Sequence, residues 1–542
     1  MRYPFQRNQP ALTMLTLSIS LVGSLTLSAQ ASSKSEIESY LKTFQSNPKA
    51  AMKQVPPKYK GSDTLPEHRL KKVKSKFSAE SIKSGQFVIE RDSWRQKLCG
   101  LTGDTDARIC LKDVEPGKAP IAGNDLAKNL VDNGDVVSGP LKLVTRMSEI
   151  HSKGLRAKTL KSQPWSDTYW PIGAGILGDR YEAEDKPWGT WKAQYDWTQK
   201  SGNTLRAIAL SGDAAKIDSL SPSEKYDLLI GDLDGTFTRT MWKEGQRYWD
   251  QYGEVEGWMG ICHGWAPAGF MVDRPETTVK AKAAQSAGGM ELTFYPSDIK
   301  GLASLSWARA GVDTRFIGGR CNSKDPQVDA NGRVTEQDCF DNNPASWHLA
   351  MVNQIGVSGR SMVLDATYDY EVWNQPIVEY SYTYFNPKTN QQTEALEAAI
   401  VPVEQFTNDK FKAYRTDPRV KSVVGVAMEV TYVVETSASH AMTDTPEEDS
   451  LTTTRYMYDL ELDAQGNPIG GEWYGNLHPD FLWTPPAGAS TALKIESQAY
   501  GNWNVDTSGV PAAWLPVARK AATAGLPIWK IVNALVQAAQ KQ

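Results

Sequence analysis

Between residues 345 and 480 apolar and polar positions alternate in short stretches: "WHLAMVNQI", "RSMVLDAT", "VEYSYTYF", "KSVVGVAMEVTYVVE" and "TTTRYMYDLELD". A two-residue period places every second side chain on one face of a strand, so this region predicts an antiparallel sheet with a turn at "AQGNPIGG". Upstream the period lengthens. In "SPSEKYDLLIG", Ser221 as N-cap, Pro222 at the first helical position and Glu224 three residues after the cap form a capping box. Tyr226, Leu229 and Ile230 then share a helical face, and Gly231 suits the C-terminal cap. Residues 164 to about 310 read as mixed and largely helical, and "PVARKAATAGLPIWKIVNALVQAAQKQ" has the spacing of an amphipathic closing helix. The pattern as a whole predicts an α+β protein.

The N-terminal part has a different texture. "MRYPFQRNQPALTMLTLSISLVGSLTLSAQASS" carries two arginines, a short apolar run and an A-x-A exit, the form of a secretory signal covering residues 1–31. The chain is therefore expected to be secreted, extracellular or periplasmic, and no other stretch is apolar enough to span a bilayer. Residues 32–163 predict a mainly helical N-terminal segment with a basic irregular part. At Pro164 the composition shifts to the aromatic "PWSDTYWPIGAGILGDRY", and residues 164–542 are assigned to one main domain.

A net charge of -4 gives no sign of a nucleic-acid partner. The five cysteines matter more. Cys99 with Cys110 and Cys321 with Cys339 bracket short loops and are the simplest disulfides to propose in an exported chain. Cys262 is left over, in "EGWMGICHGWAPAGFMV". Pro267 fits the first turn of a helix, so Cys262 stands at a helix mouth, where the partial positive charge of the N-terminus favours thiolate. An unpaired core thiol is the alternative reading.

A cysteine nucleophile needs a base with a partner to orient it. If "WHLAMVNQI" and "RSMVLDAT" pair across "GVSG", His348 faces Thr367 with Asp365 on the adjacent diagonal. A tighter loop puts His348 opposite Asp365. Asp369 competes as the orienting acid. His263 points away from its neighbour Cys262, while His68, His151, His440 and His478 lack a partner at suggestive spacing. Asp232-Leu233-Asp234-Gly235-Thr236 has the form of the DxDGT signature of haloacid-dehalogenase-type phosphatases. It follows a helix rather than the strand that chemistry requires, so it reads as a helix exit and turn. "QVDANGRVTEQD" has Asp329, Asn331, Gly332 and Asp338 at EF-hand-like offsets, but Gln327 stands where the first acid belongs. It is either a calcium site or a disulfide-closed loop, and no cofactor is otherwise required.

With these residues in place the sequence resembles the secreted transglutaminases of oomycetes and their marine bacterial relatives, a family of plant-defence elicitors. The resemblance rests on "GICHGWAPAGF", "SWHLAMVNQ" and "VLDATYDYEVWNQP", with "YWPIGAGI" and "SPSEKYDLLIGD" in support. It implies a papain/transglutaminase-like core, with a nucleophile helix packed on an antiparallel sheet, and an N-terminal pro-segment that makes the chain a zymogen. It also implies Cys262 as nucleophile, His348 as base and acid, and Asp365 as the orienting group, with an oxyanion tryptophan among Trp242, Trp249 and Trp258. The implied reaction is protein-glutamine γ-glutamyl transfer to lysine or another primary amine, so the expected partners are proteins or peptides carrying Gln and Lys. A cysteine protease or amidase would use the same triad and admit water. A non-catalytic elicitor-like surface module is the third reading.

Overall fold

The computed structural model describes residues 127, 130–132 and 143–540, apart from 188, 322, 324, 325, 330–332, 336–338, 340, 341, 368–370 and 475–477. The expected signal 1–31, most of the segment 32–163 and the pair Cys99–Cys110 lie outside the described residues.

Mixed helix and antiparallel sheet make up the fold. The strands used below are β1 (Ala157–Thr159), β2 (Arg315–Gly318), β3 (Val363–Asp365), β4 (Asn374–Phe385), β5 (Ser422–Val434), β6 (Ser450–Leu462), β7 (Pro468–Gly470) and β8 (Phe481–Thr484). They run in the order β7-β6-β5-β4-β3-β8-β2, with β1 also paired to β4. All of these pairs are antiparallel. "VEYSYTYF", "KSVVGVAMEVTYVVE" and "TTTRYMYDLELD" thus form β4, β5 and β6, as their alternation predicts.

The sheet is covered on both faces, which is why β5 is apolar at nearly every position rather than at every second one. Tyr380 and Tyr382 of β4, Val426 and Met428 of β5, and Tyr456 and Tyr458 of β6 point into one core. Val433, of the opposite parity in β5, and Val378, which shares the parity of Tyr380 and Tyr382 but lies at a register shift, point into the other. A register shift between Ile377 and Glu379 lets β4 serve both.

The helices divide accordingly. Here α1 is Met147–Ser152, α2 Pro222–Leu229, α3 Thr236–Tyr252, α4 Cys262–Met271, α5 Pro296–Arg309, α6 Pro344–Ala350, α7 Leu515–Ala522 and α8 Trp529–Ala538. Side chains of α2, α3, α4, α5, α7 and α8 build the first core, and those of α1 and α6 join the second. The expected capping box on α2 is present, with Gly231 just past its end at φ 77°. The single closing helix is instead two, α7 and α8, broken around Gly525 at φ 73° and Pro527.

One expectation fails with consequences for the site. "WHLAMVNQI" is not a strand: it forms α6 and a π-helical continuation, Met351–Val357. Trp347, Met351 and Ile355, four apart, all face the second core, so this short apolar run fits a helical period as well as an alternating one. The deciding signal is just upstream. The Asn343 side chain accepts the Ala345 N–H at 2.8 Å and Pro344 opens the first turn. The expected division at 163/164 does not coincide with a break in packing either. Val144, Met147, Ile150 and Leu160 belong to the second core, and β1 pairs with β4 from Ala157↔Ser381 to Thr159↔Glu379.

Candidate functional site

Cys262 is the first residue of α4, at the helix mouth as its sequence predicts. Pro267 lies in the second turn, one turn deeper than expected. Two glycines seat this helix start. A Cβ on Gly260 would stand 2.4 Å from the Tyr169 carbonyl oxygen, and one on Gly264 would stand 2.2 Å from that of Ser304. Close approach of backbone to backbone therefore explains the glycines flanking "IC" and "H".

The thiol is unpaired and 7 % exposed. The Asn374 side-chain amide donates to Cys262 Sγ at 3.4 Å, and Sγ lies 3.7 Å from the Val372 carbonyl oxygen. Trp483 Nε1 in turn donates to Asn374 Oδ1 at 2.7 Å. Burial pushes the thiol up to about 11, with Asn374 pulling the other way and the charges of Glu435 and Asp365 adding to the rise. Desolvation thus outweighs the helix-terminus effect that the sequence suggests.

Asp365 ends β3 and lies directly across from Asn374 in the β3–β4 register. Its Oδ1 accepts Thr367 Oγ1 at 2.8 Å, the Trp373 N–H at 2.9 Å and the Thr367 N–H at 3.3 Å. Its Oδ2 has no hydrogen-bond partner among the described residues. Burial pushes this carboxyl up to about 7, against its hydrogen bonds and the nearby Arg320 guanidinium. Glu435, just past β5, is also pushed up to about 7 by burial, and its Oε1 accepts Gln375 Nε2 at 2.8 Å. Tyr169, whose carbonyl accepts the Ile261 N–H at 2.8 Å, and Trp373, which precedes Asn374, lie with ring centroids 5.7 Å apart.

His348 is elsewhere. It is fully buried on α6, with Nδ1 2.9 Å from the Tyr458 hydroxyl and its ring 4.8 Å from that of Tyr382. Its Nε2 has no hydrogen-bond partner among the described residues, so neither Cys262 nor Asp365 is bonded to the imidazole. Asn374, beside Cys262, and Tyr382, beside His348, are eight residues apart on β4. At roughly 3.3 Å per residue that separation is on the order of 26 Å along the strand, and the register shift between Ile377 and Glu379 turns the alternation so that the two side chains lie on opposite faces. The expected strand histidine facing Asp365 is corrected: α6 carries it to the far side of the sheet. Burial pushes the ring down to about 3.

The remaining candidates have local roles. Trp242 and Trp249 pack around Trp191, and Trp258 Nε1 donates to Glu256 Oε2 at 2.7 Å; none is hydrogen-bonded to the thiol. Asp232 caps the turn into α3, accepting the N–H groups of Asp234 at 2.9 Å and Thr236 at 3.0 Å. His151 Nδ1 lies 3.3 Å from the Tyr384 hydroxyl, His440 stacks on Tyr295 at 4.0 Å, and His478 packs on Trp473 at 5.4 Å. Cys321–Cys339 is a disulfide. In its loop Asp329 Oδ1 accepts the Arg333 N–H at 3.0 Å, while Asn331, Gly332, Asp338 and the competing Asp369 lie outside the described residues. Among the described residues no group of three or more His, Cys, Asp or Glu could hold a metal.

The model of the family described as Transglutaminase elicitor matches residues 141–499. The chain belongs to that family. The match contains α1, β1 and every residue of the Cys262 site, and it crosses the expected division at 163/164. Among solved structures, the crystal structure of the GP42 transglutaminase from Phytophthora sojae is similar, at 22 % identity over 71 % of this chain and 94 % of that one, with a TM-score of 0.43. No curated protein matches. No helix among the described residues of this transglutaminase-elicitor chain is long and apolar enough to cross a membrane.

Three residues around the sulfur go unnoticed in the sequence argument. Asn374 lies inside the "VWNQP" string, whose resemblance says nothing of contact with a thiol. Trp483 is 109 residues further on. Glu435 carried the most legible signal, as a charge closing the otherwise apolar run "VTYVVE".

Proposed function

We propose that the chain is a secreted protein-glutamine γ-glutamyltransferase with Cys262 as its nucleophile. The observation that supports this best is a free thiol at the mouth of α4, hydrogen-bonded by Asn374, within the region matched by the Transglutaminase elicitor family. Asp365 takes the thiol proton on its unpartnered oxygen, and the thiolate attacks the side-chain carbonyl carbon of a protein glutamine. The carboxyl returns that proton to the departing nitrogen, ammonia leaves as the C–N bond breaks, and a thioester remains. A lysine amine then attacks, its proton passing to Asp365 and on to the sulfur, which gives the isopeptide and frees the thiol. A carboxyl held near neutrality suits both directions of transfer. His348 takes no part in this scheme, because a sheet stands between it and the sulfur.

Aromatic walls at Tyr169 and Trp373 favour an amine over water at the thioester by keeping the site dry. The segment before residue 141 is proposed to act as a leader and pro-segment, which makes the chain a zymogen. The test is incorporation of a fluorescent amine into a glutamine-bearing protein by the chain freed of its leader. Wild type should label the acceptor and Cys262→Ala should not. Equal labelling by both would sink the transferase reading.

A second reading, a non-catalytic surface module, draws on the imidazole lying across the sheet and on the raised thiol. Under that reading neither variant labels the acceptor, while folding is identical.

A further inference from the structure

We propose that Asn374, oriented by Trp483, is the electrophilic donor of the site, steadying first the Cys262 thiolate and then the oxyanion that forms when a glutamine carbonyl is attacked. The inference rests on Cys262 being the nucleophile and assigns a role that the tryptophans before the cysteine were expected to fill.

The orientation of the amide follows from donor and acceptor chemistry. An indole N–H can only donate. Trp483 Nε1 therefore faces the oxygen of Asn374 at 2.7 Å, and the NH2 group is left to face the sulfur at 3.4 Å. The reverse arrangement would set two donors against each other. Trp483 is itself fixed, because β8 is paired on one side to β3, with Trp483 opposite Val363, and on the other to β2, with Trp483 opposite Phe316. Asn374 is the first residue of β4 and 3 % exposed, so the donor is rigid and nearly dry. Its backbone N–H acts on the thiol in the same sense as its side chain.

The chemistry needs such a donor. As the S–C bond forms, the π electrons of the glutamine C=O move onto oxygen, and the developing charge sits one atom from the sulfur. A fixed N–H pair already aimed at the sulfur reaches that oxygen without reorganising, which is where preorganised donors act most strongly. When the C–N bond breaks the electrons return, C=O reforms and the donors fall back to the thioester.

The experiment pairs two readings on Asn374→Ala, Asn374→Asp and Trp483→Phe, each with near-UV circular dichroism to establish folding. One is the pH at which iodoacetamide alkylation of Cys262 is half-maximal, followed by mass spectrometry. The other is kcat and KM for fluorescent-amine incorporation. Asn374→Ala should raise the alkylation midpoint by about one pH unit and lower kcat by about 10²–10³-fold, with KM within about threefold. Asn374→Asp should raise the midpoint further, since its carboxylate opposes the thiolate. Trp483→Phe keeps an aromatic side chain but removes the indole N–H together with the five-membered ring, so it should fall between wild type and Asn374→Ala in both readings. It also serves as the test should the Asn374 variants fail to fold. Unchanged midpoints with unchanged kcat overturn the donor role. If the midpoints shift but wild type incorporates no amine, the transferase reading fails and the thiolate half of the inference stands.

Discussion

Strand β4 has a buried titratable side chain on each face, Cys262 near its beginning and His348 further along, and the two are used differently. Buried polar atoms without hydrogen-bond partners among the described residues occur on both faces, Asp365 Oδ2 near the cysteine and Trp347 Nε1, His348 Nε2 and the Tyr382 hydroxyl near the histidine. On the cysteine face, however, burial raises two carboxyls to about 7. On the histidine face the imidazole sits in a tyrosine cluster, bonded to Tyr458 and pressed against Tyr382. Both groups are deep, and both are shifted by desolvation. Depth alone therefore does not mark a reactive centre; what distinguishes the cysteine face is a free thiol held by a fixed amide donor, with carboxyls raised to about 7 by burial nearby.

The largest effect expected from breaking this contrast is on chemistry. Cys262→Ala should cut amine incorporation by more than about 10³-fold with the fold unchanged, since the thioester can no longer form. Next come the two cores. Trp265 and Trp347 are both fully buried, the first in the core beneath Cys262 and the second beside His348. Each Trp→Ala change should cost about 3–5 kcal/mol in denaturant melts. At a temperature where both variants remain folded, only Trp265→Ala should also lose transferase rate, because α4 carries Cys262, the proposed nucleophile.

Smaller, but opposite in sign on the two faces, is the response to pH. Asp365 titrates near 7 in the fold against an ordinary 3.8, so the folded chain holds a proton that the unfolded chain has lost between those values. Its contribution to stability therefore falls as pH rises from about 4 toward 7, at no more than about 1.4 kcal/mol per pH unit. His348 titrates near 3 against 6.5, so here the unfolded chain holds the extra proton. Its contribution is lost as pH falls from about 6.5 toward 3. Thermal melts across pH 4–8 should show Asp365→Asn flattening the decline toward neutrality and His348→Gln flattening the decline toward acid. Identical profiles for the two variants would contradict the assignment of the groups to their environments.

Much of this was legible in the sequence. The capped α2, the long strands β4, β5 and β6, the Cys321–Cys339 bridge and the position of Cys262 at a helix mouth all follow from local patterns that tertiary structure has no reason to override. The placement of His348 was not legible from alternation, because "WHLAMVNQI" satisfies a helical and an extended period together. Asn343-Pro344 was the signal that could have decided it. Asn374 and Trp483 were out of reach for a different reason. The contact of Asn374 with Cys262 and that of Trp483 with Asn374 each join segments more than a hundred residues apart, and no periodicity encodes which of several strands will lie beside a given helix.

The most direct test of the central claim, that the reactive centre lies wholly on the Cys262 face, is the amine-incorporation rate of His348→Gln at pH 7.5. It should be measured beside wild type at a temperature where both are folded. The substitution removes the imidazole and leaves the far face otherwise intact. In the folded variant kcat should stay within about threefold of wild type, with a loss of about 1–3 kcal/mol in stability as the Tyr458 hydroxyl loses the imidazole and keeps only the weak contact to Met428 Sδ. A fall in kcat of about 10³-fold or more in the folded variant would contradict it, and would show that the imidazole acts on the sulfur after all.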